Sequence, residues 1–388
     1  MGLSKIAESI GASATIKLNE TANSLRAQGV PVIHLGGGEP KSKAPAEAIK
    51  AASAKLNTGE IRYTPNAGIM PLREAVVRYT EEYYHRKVTP GNVLVSSGAK
   101  QAIMMALQAV LNPGDELIYP VPYWVSYPEM VKLVGANPVA VLPENDPSQP
   151  TLEEIKAKVT PATKAIMLNS PNNPSGTVYS PELISAVVDF CESKNIYLIM
   201  DDIYHRLVFD GQTVANCYEY SSKKTDDSKI ITINGVSKSY AMTGFRVGWA
   251  IASKDVVSAM SKIQSHFSSG TSELTQWAAV GALNGSQDSV DSLRKTLENN
   301  RNLLVDRLSA IHGVKVTKPG GTFYCFPDFS SIEKDSSKLA DYLLKKVQVV
   351  TVPGVEFGLE SHLRISFCGS VQDITEGSDR IKAALATY

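Results

Sequence analysis

Short apolar runs alternate with longer amphipathic segments between about residue 90 and residue 255. The apolar runs predict strands at residues 93–95, 116–119, 165–168, 197–200, 229–233 and 249–251. Between them, residues 99–111 carry apolar side chains at helical spacing, and residues 181–191 begin with a proline, as helices often do. Strands that alternate with helices predict a mainly parallel sheet with helices on both faces. Ligands of such sheets bind at the carboxyl ends of the strands.

The C-terminal part of the chain has a different pattern. Residues 289–311 have the periodicity of one long helix, and predicted strands at 322–326 and 363–367 bracket a helix at 337–347. A strand-like run at 32–35 precedes a glycine cluster and is assigned to the same part of the fold. We therefore predict an α/β fold with a mainly parallel central sheet flanked by helices, and a smaller α+β domain built from both chain ends.

This pattern also predicts the domain boundaries. Residues 1–45 form the N-terminal arm and the first part of the small domain, residues 46–288 the large domain, and residues 289–388 the small C-terminal domain. The first residues lack the apolar core of a secretory signal, and no stretch is long enough to span a bilayer.

Composition narrows the classes of function. Among the 388 residues, Lys plus Arg and Asp plus Glu balance at 39 each, so no basic field attracts nucleic acid or an anionic membrane. The four cysteines are scattered without a CxxC pair, which indicates neither a disulfide framework nor a zinc site and favours a reducing cytoplasm. The six histidines lack metal-ligand spacing, so we expect no metal.

Polar segments follow two of the predicted strands. The sequence SSGAK at residues 96–100 opens a helix, where backbone N–H groups and the helix dipole attract an anion. On this motif alone, a plain serine cap is the favoured interpretation. The sequence NSPNNPSG at residues 169–176 is stiffened by its prolines, and Asn173 can donate its amide to an aromatic oxygen or a carboxylate. A tight surface turn is the simpler interpretation of that loop.

The sequence DDIY places Asp201 at another strand end, with Tyr204 three residues later. An aspartate there often caps the next helix. The functional interpretation is that an ionised carboxylate beside a pyridine nitrogen keeps that nitrogen protonated and makes the ring an electron sink. Tyr204 could then reach the phenolic oxygen of the same ring.

The sequence GVSKSYAMTGFRVG at residues 235–248 follows the predicted strand at 229–233. A lone lysine after a strand is usually a solvated surface residue. Lys238 is instead flanked by small residues, and Arg246 follows eight positions later. An aldehyde that carries a phosphate needs an amine to form an imine and a fixed guanidinium for its phosphate dianion.

Together with GGGEP at residues 36–40 and LRISF at residues 363–367, these segments resemble the recurrent blocks of one family. The chain resembles the fold-type I pyridoxal-phosphate enzymes of the class I aminotransferase family, and is especially similar to the bacterial aspartate aminotransferases of subgroup I-gamma. The resemblance covers essentially the whole chain, with the blocks in the family's order. It implies pyridoxal 5′-phosphate as cofactor and a homodimer with active sites at the subunit interface.

The resemblance also implies roles for the cofactor-binding residues. Lys238 would form the internal aldimine and later move the proton between the substrate Cα and the cofactor. Asp201 would pair with the pyridine nitrogen, and Asn173 and Tyr204 would hydrogen-bond the phenolic oxygen. Trp124 would stack near the ring, although a tryptophan in such a loop can also be a packing residue. The residues implied for the phosphate are Gly98, Ala99, Ser237, Arg246 and, from the other subunit, Tyr63.

On the substrate side, Arg364 would bind the α-carboxylate in a bidentate fork, completed by the backbone N–H of Gly38. Trp124 and Asn173 would contact the substrate as well as the cofactor. The sequence alone slightly favours the interpretation of Arg364 as an outward charge on a strand. Lys100, Ser13 and Thr15 would bind the distal carboxylate of aspartate or glutamate. Many relatives have serine or threonine where this chain has glycine three residues before Lys238, so one hydroxyl contact to the phosphate is missing.

The resulting hypothesis is transfer of the amino group of L-aspartate to 2-oxoglutarate by a ping-pong mechanism. The alternatives that share the cofactor site are an aminotransferase with an aromatic or prephenate range, and a carbon–sulfur lyase or a related enzyme that eliminates a side-chain group. A pyridoxal-phosphate sensor domain of a transcription regulator would need a DNA-binding module, for which few residues precede Ser13. A nicotinamide dehydrogenase is disfavoured because GxGxxG is absent.

Overall fold

The structure, a computed structural model, describes residues 2–11, 14–144 and 148–388, with the backbone alone for residues 14–17 and 19. Its helices are α1 (Lys5–Ser9), α2 (Ala14–Ala27), α3 (Ala46–Asn57), α4 (Met70–Tyr84), α5 (Ala99–Val110), α6 (Ser126–Leu133), α7 (Leu152–Lys156), α8 (Pro181–Lys194), α9 (Cys217–Tyr220), α10 (Lys254–Phe267), α11 (Glu273–Asn284), α12 (Asp288–Ser309), α13 (Ser336–Val347) and α14 (Val371–Leu385). Its strands are β1 (Ile33–His34), β2 (Val93–Ser96), β3 (Glu116–Pro120), β4 (Asn137–Val141), β5 (Thr163–Asn169), β6 (Tyr197–Asp201), β7 (Ile230–Gly235), β8 (Gly248–Ile251), β9 (Tyr324–Cys325), β10 (Val349–Val350), β11 (Val352–Pro353) and β12 (Leu363–Ser366).

A central sheet dominates the described part of the chain. Its seven strands lie in the order β2-β8-β7-β6-β5-β3-β4. The pairings among β7, β6, β5, β3 and β4 are parallel, whereas β8 runs antiparallel to both of its neighbours. The predicted fold class, a mainly parallel sheet flanked by helices, is therefore confirmed.

Strand residues of this sheet alternate between two hydrophobic clusters. In β6, Leu198 and Met200 belong to one buried cluster and Ile199 to the other, and in β3 Ile118 and Leu117 divide in the same way. Side chains of a strand point alternately to its two faces, so both faces of the sheet are covered. Because both faces of the sheet are packed, a ligand can bind only at the ends of its strands.

The carboxyl ends of four strands, β2, β5, β6 and β7, lie at the same end of this sheet. Asn169 pairs in register with Asp201, and Asp201 pairs with Ile233 of β7. β8 runs antiparallel to both β7 and β2, so β7 and β2 run in the same direction. The loop after Ser96 therefore lies at the same end of the sheet as the loops after Asp201 and Gly235.

A smaller unit joins the two ends of the chain. β1 pairs in parallel with β10, and β11, β12 and β9 form an antiparallel sheet beside α12, α13 and α14. Its buried cluster contains Ile33 and Leu35 from the start of the chain and Ile365 and Phe367 from the end. The same cluster extends to residues that follow β6, such as Leu207, so apolar packing links the two units. The exact domain boundaries stay a prediction.

Some predicted bounds differ from the structure. The predicted strand at 322–326 shortens to Tyr324–Cys325, and the one at 32–35 shortens to Ile33–His34. The strand Asn137–Val141 was not predicted, because its asparagine and proline disfavour a central strand. It lies at the edge of the sheet, where a proline costs no ladder hydrogen bond on the open side. In the described residues, none of the helices combines the length and the apolar character needed to cross a bilayer.

Candidate active site

A cavity of about 360 Å³ lies between the carboxyl ends of the central strands and the smaller unit. It is lined by Gly36, Gly38, Glu39, Ala99, Lys100, Trp124, Tyr127, Asn169, Asn173, Asp201, Ile203, Tyr204, Ser237, Lys238, Thr243, Arg246, Tyr324 and Arg364. The residues that line it come from both units. Four of them carry positive charge and two carry carboxyl groups.

Most site residues predicted from the sequence line this one cavity. They are Gly38, Ala99, Lys100, Trp124, Asn173, Asp201, Tyr204, Ser237, Lys238, Arg246 and Arg364. Gly98 lies directly behind it, against the Arg246 guanidinium. Tyr63 does not belong to the lining, and its side chain is 98 % exposed. Ser13 lies outside the described residues, as does the side chain of Thr15.

The ammonium group of Lys238 lies in the middle of the polar lining. Its Nζ donates a hydrogen bond of 2.7 Å to the carbonyl oxygen of Gly38. Burial lowers the pKa of Lys238 to about 8, and Arg364 contributes to the lowering. A lysine with such a pKa is partly unprotonated near neutral pH, so it can act as a nucleophile or a base. The interpretation of Lys238 as a solvated surface residue does not hold.

Asp201 lies at the end of β6 and is 4 % exposed. Its Oδ2 accepts a hydrogen bond of 2.6 Å from the hydroxyl of Tyr127. Burial raises the pKa of Asp201 to about 6, while the bond from Tyr127 opposes that rise. A turn, not a helix, follows Asp201, so its interpretation as a helix cap is wrong. The carboxyl group instead faces the cavity.

The loop after β5 is tied to Asp201 by its first residue. The Nδ2 of Asn169 donates to the carbonyl oxygen of Asp201 at 2.7 Å, and its Oδ1 accepts from the backbone N–H of Asn173 at 2.8 Å. These bonds hold Asn173, which is 5 % exposed, at the cavity wall. The loop is therefore more than a surface turn.

A close-packed cradle forms where β2 leads into α5. Gly98 has a φ of +90°, and a β-carbon at this position would lie 2.6 Å from Nη2 of Arg246. A β-carbon on Gly248 would lie 2.3 Å from the backbone nitrogen of Ala99. Glycine is required at both positions by these approaches. The start of a twelve-residue helix beside a guanidinium fits a phosphate dianion.

Arg364 is 2 % exposed in β12, so its interpretation as an outward charge is wrong. Its Nη1 donates to Oδ1 of Asn173 and its Nη2 to the carbonyl oxygen of Gly36, both at 3.0 Å. Its Nε is buried without a hydrogen-bond partner. No carboxylate among the described residues forms an ion pair with it. A buried, uncompensated cation of this kind is a receptor for an anion.

Two tyrosines connect Arg364 to the rest of the lining. The Arg364 guanidinium lies 4.2 Å from the ring centroid of Tyr324, and the rings of Tyr324 and Tyr204 meet edge to face at 6.2 Å. Burial raises the pKa of Tyr204 far above its ordinary value, with a further contribution from Tyr324. The Tyr204 hydroxyl therefore stays protonated and available as a donor.

Lys100 is exposed in the first turn of α5, yet it lines the cavity. Its Nζ lies 4.8 Å from the ring centroid of Trp124, a cation–π arrangement. Partial burial and the neighbouring Arg246 lower the pKa of Lys100. Among the ion pairs of the described residues, none includes Lys100. Like Arg364, Arg246 and Lys238, it is a cation of the lining that forms no ion pair with a carboxylate of the described residues.

Several lining residues were not predicted as site residues, namely Gly36, Glu39, Tyr127, Asn169, Ile203, Thr243 and Tyr324. Some lie inside sequence blocks already singled out, so their position was available from the sequence. Tyr127 lies only three residues after Trp124, and their rings meet edge to face at 5.5 Å. Tyr324 carried no such signal, because its strand lies in the smaller unit.

The residues of the cavity fit pyridoxal phosphate. The glycine cradle and Arg246 suit a phosphate, the buried carboxyl of Asp201 suits a pyridine nitrogen, and Lys238 offers an amine with a lowered pKa. In the described residues no cluster of His, Cys, Asp and Glu has the arrangement of a metal site.

Comparison with known proteins agrees with this chemistry. The model of the family "Aminotransferase class I and II" matches residues 30–381. An aspartate aminotransferase of Bacillus sp. strain YM-2 is 37 % identical, with 95 % of each chain covered. A probable aspartate/prephenate aminotransferase of Aquifex aeolicus is also 37 % identical, over 99 % of this chain and 98 % of that one. The structure of the Thermus thermophilus aspartate aminotransferase with maleate superimposes with a TM-score of 0.94 at 35 % identity, covering 99 % of this chain and 100 % of that chain.

The chain therefore belongs to the class I and II aminotransferase family. It is an aminotransferase that depends on pyridoxal phosphate, as the resemblance of its sequence blocks implied.

Proposed function

We propose that this enzyme transfers the amino group of L-aspartate to 2-oxoglutarate. The observation that carries the proposal is that none of the four cations in the cavity lining forms an ion pair with a carboxylate of the described residues. Lys238 and Arg246 are assigned to the cofactor, which leaves Arg364 and Lys100 for the substrate. A dicarboxylic amino acid brings two carboxylates and one amine, which matches this set of charges.

The residues proposed to hold the cofactor lie at or near the carboxyl ends of the strands of the central sheet. Gly98, Ala99, Ser237 and Arg246 would bind its phosphate through backbone N–H groups, a hydroxyl and a guanidinium. Asp201 would face the pyridine nitrogen, and Trp124 would lie against the ring. The amide of Asn173 and the hydroxyl of Tyr204 would donate to the phenolic oxygen. We assign this binding to the large domain, residues 46–288, with residues 1–45 and 289–388 forming the small domain.

When bound, pyridoxal phosphate supplies an electron sink that stabilises negative charge at the substrate Cα. The protein then has to place the Cα–H bond near a base. Lys238 is proposed as this base, since its pKa of about 8 suits a group that both accepts and returns a proton near neutral pH. Its present bond to the carbonyl oxygen of Gly38 shows that the amine reaches the segment proposed to bind substrate.

Arg364 is proposed to bind the α-carboxylate through two parallel hydrogen bonds. The partners that it now contacts, Asn173 and the carbonyl of Gly36, are neutral, so a carboxylate would be a stronger acceptor than either. The backbone N–H of Gly38 would complete the site. Binding at this point would fix the orientation of the substrate relative to Lys238.

The distal carboxylate is proposed to bind at Lys100, with Ser13 and Thr15 as further contacts. The position of the Lys100 ammonium in the lining, beside Trp124, supports this assignment. The names of the relatives point the same way, since two of those compared are an aspartate and an aspartate/prephenate aminotransferase. Maleate, which is bound in the Thermus thermophilus structure, is a dicarboxylate.

The experiment that tests the proposal follows the two half-reactions separately by the visible absorption of the bound cofactor. L-aspartate alone should bleach the yellow band, and 2-oxoglutarate should restore it, because a ping-pong enzyme stores the amine between substrates. A yellow protein that ignores aspartate would contradict the substrate and leave the cofactor assignment intact. A protein that binds no pyridoxal phosphate would contradict the role of Lys238.

A wider substrate range is the second candidate. The name of the Aquifex aeolicus relative includes prephenate, a dicarboxylic keto acid that the same pair of cations could bind. Prephenate should then replace 2-oxoglutarate as amino acceptor in the second half-reaction. A carbon–sulfur lyase would instead release a keto acid without any acceptor, so dependence on the acceptor separates the two.

We also propose a homodimer in which Tyr63 reaches the phosphate of the neighbouring site. The segment of chain that contains Tyr63 has other exposed large apolar side chains, which supports a covered surface: Ile49, Leu56, Ile61 and Met70. A cytoplasmic location is proposed from the four cysteines, all of which are free thiols.

A hybrid dimer of one Tyr63→Phe subunit and one Lys238→Ala subunit tests the role of Tyr63. If Tyr63 serves the partner's site, the hybrid contains one site with both residues intact and should regain about half of the wild-type activity. If Tyr63 acts within its own subunit, both sites are defective and the hybrid should be no better than the Tyr63→Phe dimer. Light scattering of the purified protein reports the oligomeric state independently.

A further inference from the structure

The hydroxyl of Tyr127 makes a short, fully buried contact with Asp201. The 2.6 Å bond to Oδ2 joins a phenol that is 2 % exposed to a carboxyl that is 4 % exposed. Tyr127 is the second residue of α6, and its ring lies between Trp124, edge to face at 5.5 Å, and Tyr119 at 6.5 Å. The ring is held on two sides, so the hydroxyl has little freedom to move away.

Tyr127 is the strongest donor to this carboxyl among the described residues. The other bond, from the backbone N–H of Ile203 to Oδ1, is 3.4 Å long. The carbonyl oxygen of Asp201 is held separately, by Asn169. The orientation of the Asp201 side chain therefore depends mainly on one phenol, because a carboxylate without fixed donors rotates and loses directionality.

The charge of Asp201 depends on the same bond. Burial alone favours the protonated carboxyl and raises its pKa, and Tyr127 opposes this by donating to the ionised form. Burial and the nearby Asp201 charge also raise the pKa of Tyr127 far above its ordinary value. The phenol thus keeps its proton over the working pH range and stays a donor.

We infer that Tyr127 is a positioning residue that orients the Asp201 carboxylate and keeps it ionised for the pyridine nitrogen of the cofactor. The inference rests on the proposed role of Asp201 as the partner of that nitrogen. In this role Tyr127 acts through Asp201.

The competing explanation is that Tyr127 is a packing residue of the hydrophobic cluster in which its ring lies. Tyr127→Phe retains the ring and removes only the hydroxyl. Tyr119→Phe is the matched control, since Tyr119 is a buried tyrosine of the same cluster that makes no contact with Asp201 among the bonds of the described residues. A packing role predicts that the two variants behave alike.

The first measurement is the titration of the Asp201 carboxyl in the full-length chain without cofactor, by carbon-13 NMR of labelled aspartate. The signal is assigned by its disappearance in Asp201→Asn. We expect the midpoint in Tyr127→Phe to lie at least about one pH unit above that of wild type, and Tyr119→Phe to titrate as wild type. Equal midpoints in all three proteins would overturn the inference.

The second measurement is the dissociation constant of pyridoxal phosphate near pH 7. Tyr127→Phe should bind it about tenfold more weakly, and the difference should shrink at higher pH, where the Asp201 carboxyl ionises without help. A shifted titration with unchanged binding at every pH would overturn the inference that the bond serves the cofactor. Asp201→Asn separates this result from a failure of the proposed function: if that variant binds the cofactor as tightly as wild type, the role of Asp201 itself is wrong.

Discussion

The two sides of the cavity are built in different ways. On the cofactor side, Asn169 and Asp201 lie opposite each other in the ladder of a parallel sheet, and Lys238 follows the next strand. On the carboxylate side, Arg364 reaches Gly36 across 328 positions of sequence, and Lys238 reaches Gly38 across 200. The first side is positioned by backbone ladders that exist without any ligand. The second is held by side-chain bonds between distant segments, and two of the residues in these bonds, Arg364 and Gly38, are also proposed to bind substrate.

This difference has a consequence for function. A ladder fixes the strand ends rigidly, which suits the placement of a cofactor. Bonds from Arg364 and Lys238 to backbone carbonyls can be exchanged for bonds to a ligand, which suits a substrate that enters and leaves in each cycle. Substitutions on the cofactor side should thus affect cofactor binding and the stability of the protein, whereas those on the carboxylate side should affect substrate binding and leave cofactor affinity unchanged.

The largest effect is expected for Lys238→Ala. Loss of this side chain should lower kcat for the overall transfer by roughly 10⁴-fold or more, because it removes the proposed base and the amine together. Steady-state kinetics with aspartate measures the loss. Lys254→Ala is the control, since Lys254 begins α10 and pairs with Asp226 at the surface. A residual rate within tenfold of wild type would contradict the assignment.

Asp201→Asn is expected to impair cofactor binding while stabilising the protein without cofactor. The pKa of Asp201 in the folded chain, about 6, lies above its ordinary value of 3.8, so the folded state binds this proton more tightly. The free energy of unfolding of the wild-type protein should therefore fall by about 3 kcal/mol as the pH rises from about 4 to about 6.

Because asparagine does not titrate, the free energy of unfolding of the variant should not fall in this way. Urea unfolding of both cofactor-free proteins should give similar free energies near pH 4 and a more stable variant near pH 7. A variant that is less stable than wild type near pH 7 would show that the Asp201 carboxylate is not strained by burial. Asp202→Asn offers a comparison on the adjacent residue, since burial raises the pKa of Asp202 to about 8.

Arg364→Lys tests the carboxylate side. Lysine keeps the charge but loses the bidentate fork, so kcat/KM should fall by about a hundredfold for every amino acid tested, whatever its side chain. The dissociation constant of pyridoxal phosphate should not change, since Arg364 is assigned to the substrate. If the variant lost cofactor affinity and substrate affinity in parallel, the separation of the two sides would fail.

The smallest effect is expected for Lys100→Ala. Only the distal carboxylate should lose a partner, so kcat/KM should fall by about tenfold for aspartate and stay near wild type for phenylalanine. Lys254→Ala again serves as the control, because it is also a lysine in the first turn of a helix. An equal loss for both amino acids would refute a role in selectivity.

Much of the cofactor side could be predicted from the sequence. Alternation of apolar runs with helices predicted the sheet, and a polar residue after each run predicted where Asp201 and Lys238 would lie. The same reasoning left Asp201 open to interpretation as a helix cap, because a sequence does not show that a turn follows. It also passed over Tyr127, whose partner is 74 positions away.

The sequence by itself determined the chemistry available to this protein: a lysine and an arginine in one loop, aspartate at a strand end, and glycines where the backbone must approach Arg246. These are local features, set by spacing and by the geometry that each residue type permits. The tertiary structure decided which groups face one another. Burial of Arg364 without a carboxylate, the lowered pKa of Lys238 and the bond from Tyr127 to Asp201 all arise from packing between distant segments, which no local pattern encodes.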